Sequence, residues 1–168
     1  TQWTAEFRGT NQLASIAAFL IEELTDPEWP CGGPERSIQG MAALSEFRVE
    51  AVDAHDPSHK VKVKFVRATA DFANSEKHLE PEFQSASRKR NGGDRRVYGP
   101  VAYAIDGNAD TAWGIDAGPG RRNQSRKAVF IPDQPLSFTN GVILTFFLQQ
   151  NHGGDNSDDN ENHNLGRF

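Results

Sequence analysis

Asp106, Asn108, Asp110 and Thr111 place four oxygen-bearing side chains within six consecutive positions. The run opens on Asp106-Gly107, a strong turn dipeptide, so side-chain and carbonyl oxygens curl toward one point. A hard cation asks for this chemistry: calcium takes about 6–8 oxygens at roughly 2.3–2.6 Å. We expect a structural calcium held by the side chains of Asp106, Asn108 and Thr111 and by nearby carbonyls, that of Tyr103 or Ala104 among them. The alternative is an Asx turn, in which Asp106 accepts backbone N–H groups and no ion is needed. Two elements must hold the loop. Val101, Tyr103 and Ile105 alternate with smaller residues and read as a strand, and Trp113 is a large apolar anchor on the far side.

Other chemistry is harder to find. The chain has no Gly-x-Ser-x-Gly elbow and no phosphate-binding glycine loop. His55 and His59 flank Asp56-Pro57, which breaks the helix that paired histidine ligands need. His152 and His163 could meet as metal ligands only across a hairpin. Cys31 is the single cysteine, so neither an internal disulfide nor a cysteine zinc cluster forms. We read the chain as non-catalytic. Its formal net charge is −5, against a nucleic-acid backbone as partner. Arg88-Lys89-Arg90 and Arg95-Arg96 read as a solvated loop. No apolar run approaches the ~18–20 residues of a membrane span. The 168 residues suit one domain, 1–168, and the opening Thr1-Gln2-Trp3 looks like the start of a piece excised from a larger protein.

Period-two patterns dominate. Strands are expected at 1–10 (an edge), 44–53, 60–72, 127–132 and 141–151, the last apolar on both faces and therefore central. Residues 14–24 fit helical spacing or a strand; we take the strand. Phe47, Phe65, Trp113, Phe130 and Leu144 should be core. Lys60, Lys62 and Lys64 share one face of their strand, which suits a solvated face or a protected sheet edge and implies no anionic ligand. Residues 26–38 form a stiff Pro/Gly loop carrying Trp29, either a stacking platform or a lid on the core. Residues 73–99 are long, polar and low in periodicity, with a helical turn possible at 77–81. The Asp/Asn-rich stretch 152–164 reads as a solvated hairpin tip rather than a metal loop, and 165–168 begins a strand. The whole is an all-β antiparallel β-sandwich of jelly-roll type.

Ala104-x-Asp106-Gly107-x-x-x-Thr111-x-Trp113 resembles the signature of discoidin-like (factor V/VIII type C) domains, which are galactose-binding-like sandwiches. Leu24 to Pro34, Leu44 to Val49, Ala70-Asp71-Phe72 and His163 to Phe168 occur in the same order as in a domain of large planctomycete proteins that also carry cytochrome-c-like domains. The resemblance implies a calcium in the Asp-Gly loop, a core tryptophan and a non-catalytic module of a larger extracytoplasmic protein. Its implied ligand is a polysaccharide or oligosaccharide. A sugar site wants an aromatic face for the ring and polar groups for hydroxyls. Trp29, Tyr98, Arg121, Arg122 and His152, all assigned to loops, are the residues able to supply them. The rival is a structural or protein-docking domain that positions other domains of the same parent protein.

Overall fold

The computed structural model describes residues 2–9, 15–29, 32–34, 41–78, 95–118, 120–121, 123–139, 141–152, 166 and 168. Among them the chain forms β1 (Gln2–Gly9), β2 (Phe19–Glu23), β3 (Ala42–Leu44), β4 (Glu46–Asp53), β5 (Lys60–Lys62) and β6 (Phe65–Ala70). It continues with β7 (Lys77–His78), β8 (Val97–Gly99), a 3-10 helix (Val101–Ile105), β9 (Thr111–Ile115), β10 (Arg126–Pro132) and β11 (Val142–Gln149). One sheet has the order β1-β11-β4-β5, a second β2-β10-β6 and a third β3-β9-β8-β7. Every pairing is antiparallel except β8 with β9. The fold is an all-β sandwich.

Alternation explains the layers. In β2, Phe19, Ile21 and Glu23 turn inward while Leu20 and Glu22 face out. In β4, Phe47, Val49 and Ala51 point to the core. These faces meet across the sandwich through rings: Phe47 lies 4.6 Å from Phe130 and 5.4 Å from Phe65, and Phe19 lies 6.0 Å from Phe146. Edge-to-face and offset ring pairs of this kind add to plain burial. Trp113 is fully buried, and its indole N–H donates to the Phe72 carbonyl at 3.0 Å. Of the five expected core residues, Phe47, Trp113, Phe130 and Leu144 are buried; Phe65 is half-buried against the same cluster. As expected, β1 is an edge, and β11 is central between β1 and β4.

Three segments depart from the sequence reading. Val101–Ile105 is a 3-10 helix rather than a strand. Pro100 fixes φ at −61° before it, and the Tyr103 N–H donates to the Pro100 carbonyl at 3.0 Å, closing a turn. Burial then falls on Val101 and Ala104, three apart, instead of on alternate residues. The long strand at 60–72 is two strands in different sheets. The Val63 N–H still donates to Val49 of β4 at 2.9 Å, whereas the Lys64 carbonyl accepts the Asp133 N–H at 2.9 Å. The chain thus changes partners within one residue. Within 73–99, Lys77–His78 is a short strand and not a helical turn, paired with Val97 and Tyr98.

Candidate functional site

The Asp106 loop is built from the inside. Asp106 Oδ1 accepts the Asn108 N–H at 2.8 Å, and Asn108 Oδ1 accepts the Asp110 N–H at 3.1 Å, two successive Asx turns. The Thr111 hydroxyl lies 3.0 and 2.8 Å from the two Asp106 oxygens and 2.8 Å from the Asn108 carbonyl. A hydroxyl has one proton, so it cannot make a full hydrogen bond to all three oxygens at once. A second carboxylate stands beside the loop. Glu46, at the start of β4, is buried, and its Oε1 has no hydrogen-bond partner. Burial, and next the Asp106 charge, push its carboxyl above the ordinary range; the Gly107 N–H, the Arg48 charge and the Asn108 N–H pull it back. Crowded oxygens and one unpartnered oxygen of a buried carboxyl fit a cation's donor set. Among the described residues, no group of three or more His, Cys, Asp or Glu side chains is placed to share an ion. Any shell here would therefore draw on Asp106, Asn108, Thr111, Glu46 and carbonyls.

The residues assigned to sugar do not converge. Tyr98 is in β8, not a loop, and is buried against Ala43 and Ala112. Its ring lies so close to Gly114 that a Cβ there would stand 2.5 Å from it. His152 is only 1% exposed, with Nδ1 3.2 Å from the Ser45 hydroxyl and Nε2 2.9 Å from the Val97 carbonyl. Both serve packing, because a buried ring presents no face to a ligand. Trp29 and Arg121 lie on adjoining loops. β2 runs antiparallel to β10, with Glu23 opposite Arg126, and the Thr25 N–H reaches the Ser125 hydroxyl at 3.3 Å. Trp29 is half-buried in a turn closed by its N–H to Asp26 at 3.0 Å and by the Gly32 N–H to its own carbonyl at 2.8 Å. Arg121 is exposed, and its carbonyl accepts from Arg126 at 2.7 Å. Arg122, His163, most of 152–164 and the basic run 88–90 lie outside the described residues.

Among the described residues, two sizeable open depressions stand out. The first, about 270 Å³, is a slot between β1 and β2 lined by Ala5, Phe19, Ile21, Phe146, Leu148 and Phe168, with Phe47 at its floor. Glu22 is its one charged lining residue. The second, about 400 Å³, is a groove between the outer edge of β5 and the segment 133–138. That segment is pinned at both ends. Asp133 bonds to Lys64, and Leu136 exchanges two backbone bonds with Ile16 at 2.8 and 3.0 Å. A register shift at Ile131/Pro132 turns the chain out of β10 and into this wall. Behind it, buried Phe138 packs on His59 with ring centres 5.5 Å apart. The β5 side offers His59, Lys62 and Lys64, and Val61, Val63 and Pro135 add apolar lining. Asp133, Gln134 and Ser137 add oxygen and amide groups.

Sequence reasoning missed this groove. The only signal for it was the lysine row, and a row of lysines on an edge strand is already explained by solvation. What the sequence could not show is that 133–138 folds back along that edge.

Searches of family models, of characterised proteins and of solved structures found no match to this chain.

Proposed function

We propose that the chain is a non-catalytic carbohydrate-binding domain that holds a larger extracytoplasmic protein against polysaccharide. The observation that carries this reading is the groove beside β5. Its volume lies within the roughly 300–1,000 Å³ usual for small-ligand sites. Its lining mixes aliphatic surface from Val61 and Pro135 with hydrogen-bonding groups from Lys62, Gln134 and Ser137. A sugar ring has the same two kinds of surface, C–H faces and hydroxyl edges. The discoidin-like signature around Asp106 is consistent with the reading, and on it a calcium would brace the loop through Asp106, Asn108, Thr111 and Glu46. The cation would neutralise the paired Asp106 and Glu46 carboxylates and take no part in ligand binding.

The experiment is native affinity electrophoresis in gels cast with plant and algal polysaccharides. Retardation in at least one gel, relieved by soluble oligosaccharide of the same type, is the expected result. Unretarded migration in every gel would overturn the reading.

The apolar slot favours a second reading, a docking domain for a neighbouring domain of the same protein. Its phenylalanine and aliphatic lining offers little to sugar hydroxyls but would bury well against a protein.

A further inference from the structure

We infer that the groove between β5 and residues 133–138 selects an anionic sugar, one carrying a carboxylate or sulfate ester, through Lys62 and Lys64. The inference rests on the carbohydrate reading above and narrows its ligand class.

Charge is the first ground. Of the lysine row, Lys60 is paired with Glu50 across β4 and β5. Lys62 and Lys64 form no ion pair among the described residues, and both are exposed at the groove. Lys60, with Lys62 adding its charge, holds the Glu50 carboxyl below the usual range, so Glu50 is an anion already matched. Asp133 is the one acidic side chain lining the groove. Two lysines against one aspartate leave the groove positive on a chain that is acidic as a whole. An exposed ammonium costs nothing while hydrated and is able to meet an anion arriving from water.

The backbone is the second ground. In an antiparallel ladder alternate residues face the partner strand. The His59 carbonyl and the Val63 N–H both bond toward β4, so Lys62 turns its N–H and carbonyl outward, into the groove. Its neighbours cannot extend that edge: the Lys60 N–H bonds to the Ser58 carbonyl at 3.1 Å, and the Lys64 carbonyl takes the Asp133 N–H. A peptide adding as a strand needs several free backbone groups in succession. One outward residue flanked by occupied ones suits a compact ligand better. Lys62 thus offers an ammonium, a backbone donor and a backbone acceptor at one point, and Gln134 and Ser137 line the same groove.

The anion would sit between the Lys62 and Lys64 ammonium groups, with the ring over Val61 and Pro135 and the ring hydroxyls toward Gln134 and Ser137.

Calorimetric titration of the chain with a galacturonate trimer, a sulfated galactose trimer and a neutral galactose trimer tests this. Binding of either acidic trimer, at least tenfold tighter than the neutral one, supports it, and the tighter arm names the anion. Lys62→Glu with Lys64→Glu should weaken the acidic trimer by about tenfold or more, with a small fall in melting temperature because Lys62 lies opposite Glu50. Lys62→Gln with Lys64→Gln is the milder control and should give a smaller loss. Raising salt from about 0.1 M to about 1 M cuts the screening length from about 10 to about 3 Å and should weaken the acidic arm alone. Equal affinity for neutral and acidic trimers, or unchanged binding by the double variant, overturns the anionic specificity and leaves the carbohydrate reading standing. Equal binding of a polyglutamate peptide shows that charge alone is read and overturns the sugar assignment. No binding in any arm overturns both.

Discussion

Two clefts open on the same sandwich, and their walls have opposite origins. The slot between β1 and β2 is lined by the inward faces of strands: Phe19 and Ile21 of β2, Phe47 of β4 and Phe146 and Leu148 of β11. It is core that two sheet edges, unpaired among the described residues, leave open. The groove beside β5 is lined by an outer strand edge and by a loop that backbone bonds draw back to it, and its lysines owe nothing to the core. A cleft made of core can be changed only at the expense of the fold, whereas a cleft made of edge and loop can vary freely. The proposed ligand site is the second for that reason.

The first way to break the comparison is at its apolar side. Phe47 touches Phe65, Phe130 and Phe146 and floors the slot, so Phe47→Ala should cost about 3–5 kcal/mol in chemical denaturation. The same loss is expected of Trp113→Ala, whose buried ring also gives up its bond to Phe72. A change below about 1 kcal/mol at Phe47 would mean that the slot is a surface and not core.

Next comes Glu23, which continues the inward face of Phe19 and Ile21 but carries a carboxyl. It is fully buried, neither oxygen has a hydrogen-bond partner, and burial, with the Asp71 charge adding and Arg126 opposing, raises its pKa from 4.5 to about 8. The folded chain therefore keeps a proton that the unfolded chain loses. Glu23 contributes most below pH 4.5, and that contribution is lost as pH rises to about 8. The melting temperature should fall across this window, and Glu23→Gln should flatten the fall. A melting temperature that climbs steadily from pH 5 to 8 and is unaffected by Glu23→Gln would contradict the assignment.

A smaller effect is expected at the Asp106 loop. If a calcium braces it, chelator should lower the melting temperature by a few degrees and added calcium should restore it by mass action. Asp106→Ala should abolish the response, and Glu46→Gln should weaken it. An identical melting curve in chelator would leave the loop as a pair of Asx turns. The smallest stability changes belong to the polar groove. Lys62→Ala and Lys64→Ala should each stay within about 0.5 kcal/mol of the parent chain, as exposed substitutions do.

Much of the fold was legible in the sequence because burial imposes a period. β4, β10 and β11 alternate through long runs, and Trp113 could sit nowhere but inside. Where hydrogen bonding rather than burial decides, the sequence said less. Val101–Ile105 alternates like a strand, yet Pro100 and the turn it closes make it helical. The strand read over 60–72 carries no mark of the single residue at which it leaves β4 for Asp133. The oxygens of the Asp106 turn were legible because they are local. Glu46, sixty positions away along the chain, joins them only through the start of β4. Tyr98 and His152 were assigned to a surface because their neighbours are polar. In the fold, Gly114 makes room for the Tyr98 ring, and Ser45 and the Val97 carbonyl satisfy the His152 nitrogens. The groove required two segments some seventy residues apart to be set side by side, which no local pattern encodes.

The most direct test of the account is amide shift mapping of the chain titrated with a galacturonate trimer. The expected result is a contiguous set of changes at Lys62, Val63, Lys64, Gln134 and Ser137, with Phe19, Ile21 and Phe146 of the slot still. Changes centred on Trp29 and Arg121, or on the slot, with the β5 groove silent, would contradict it.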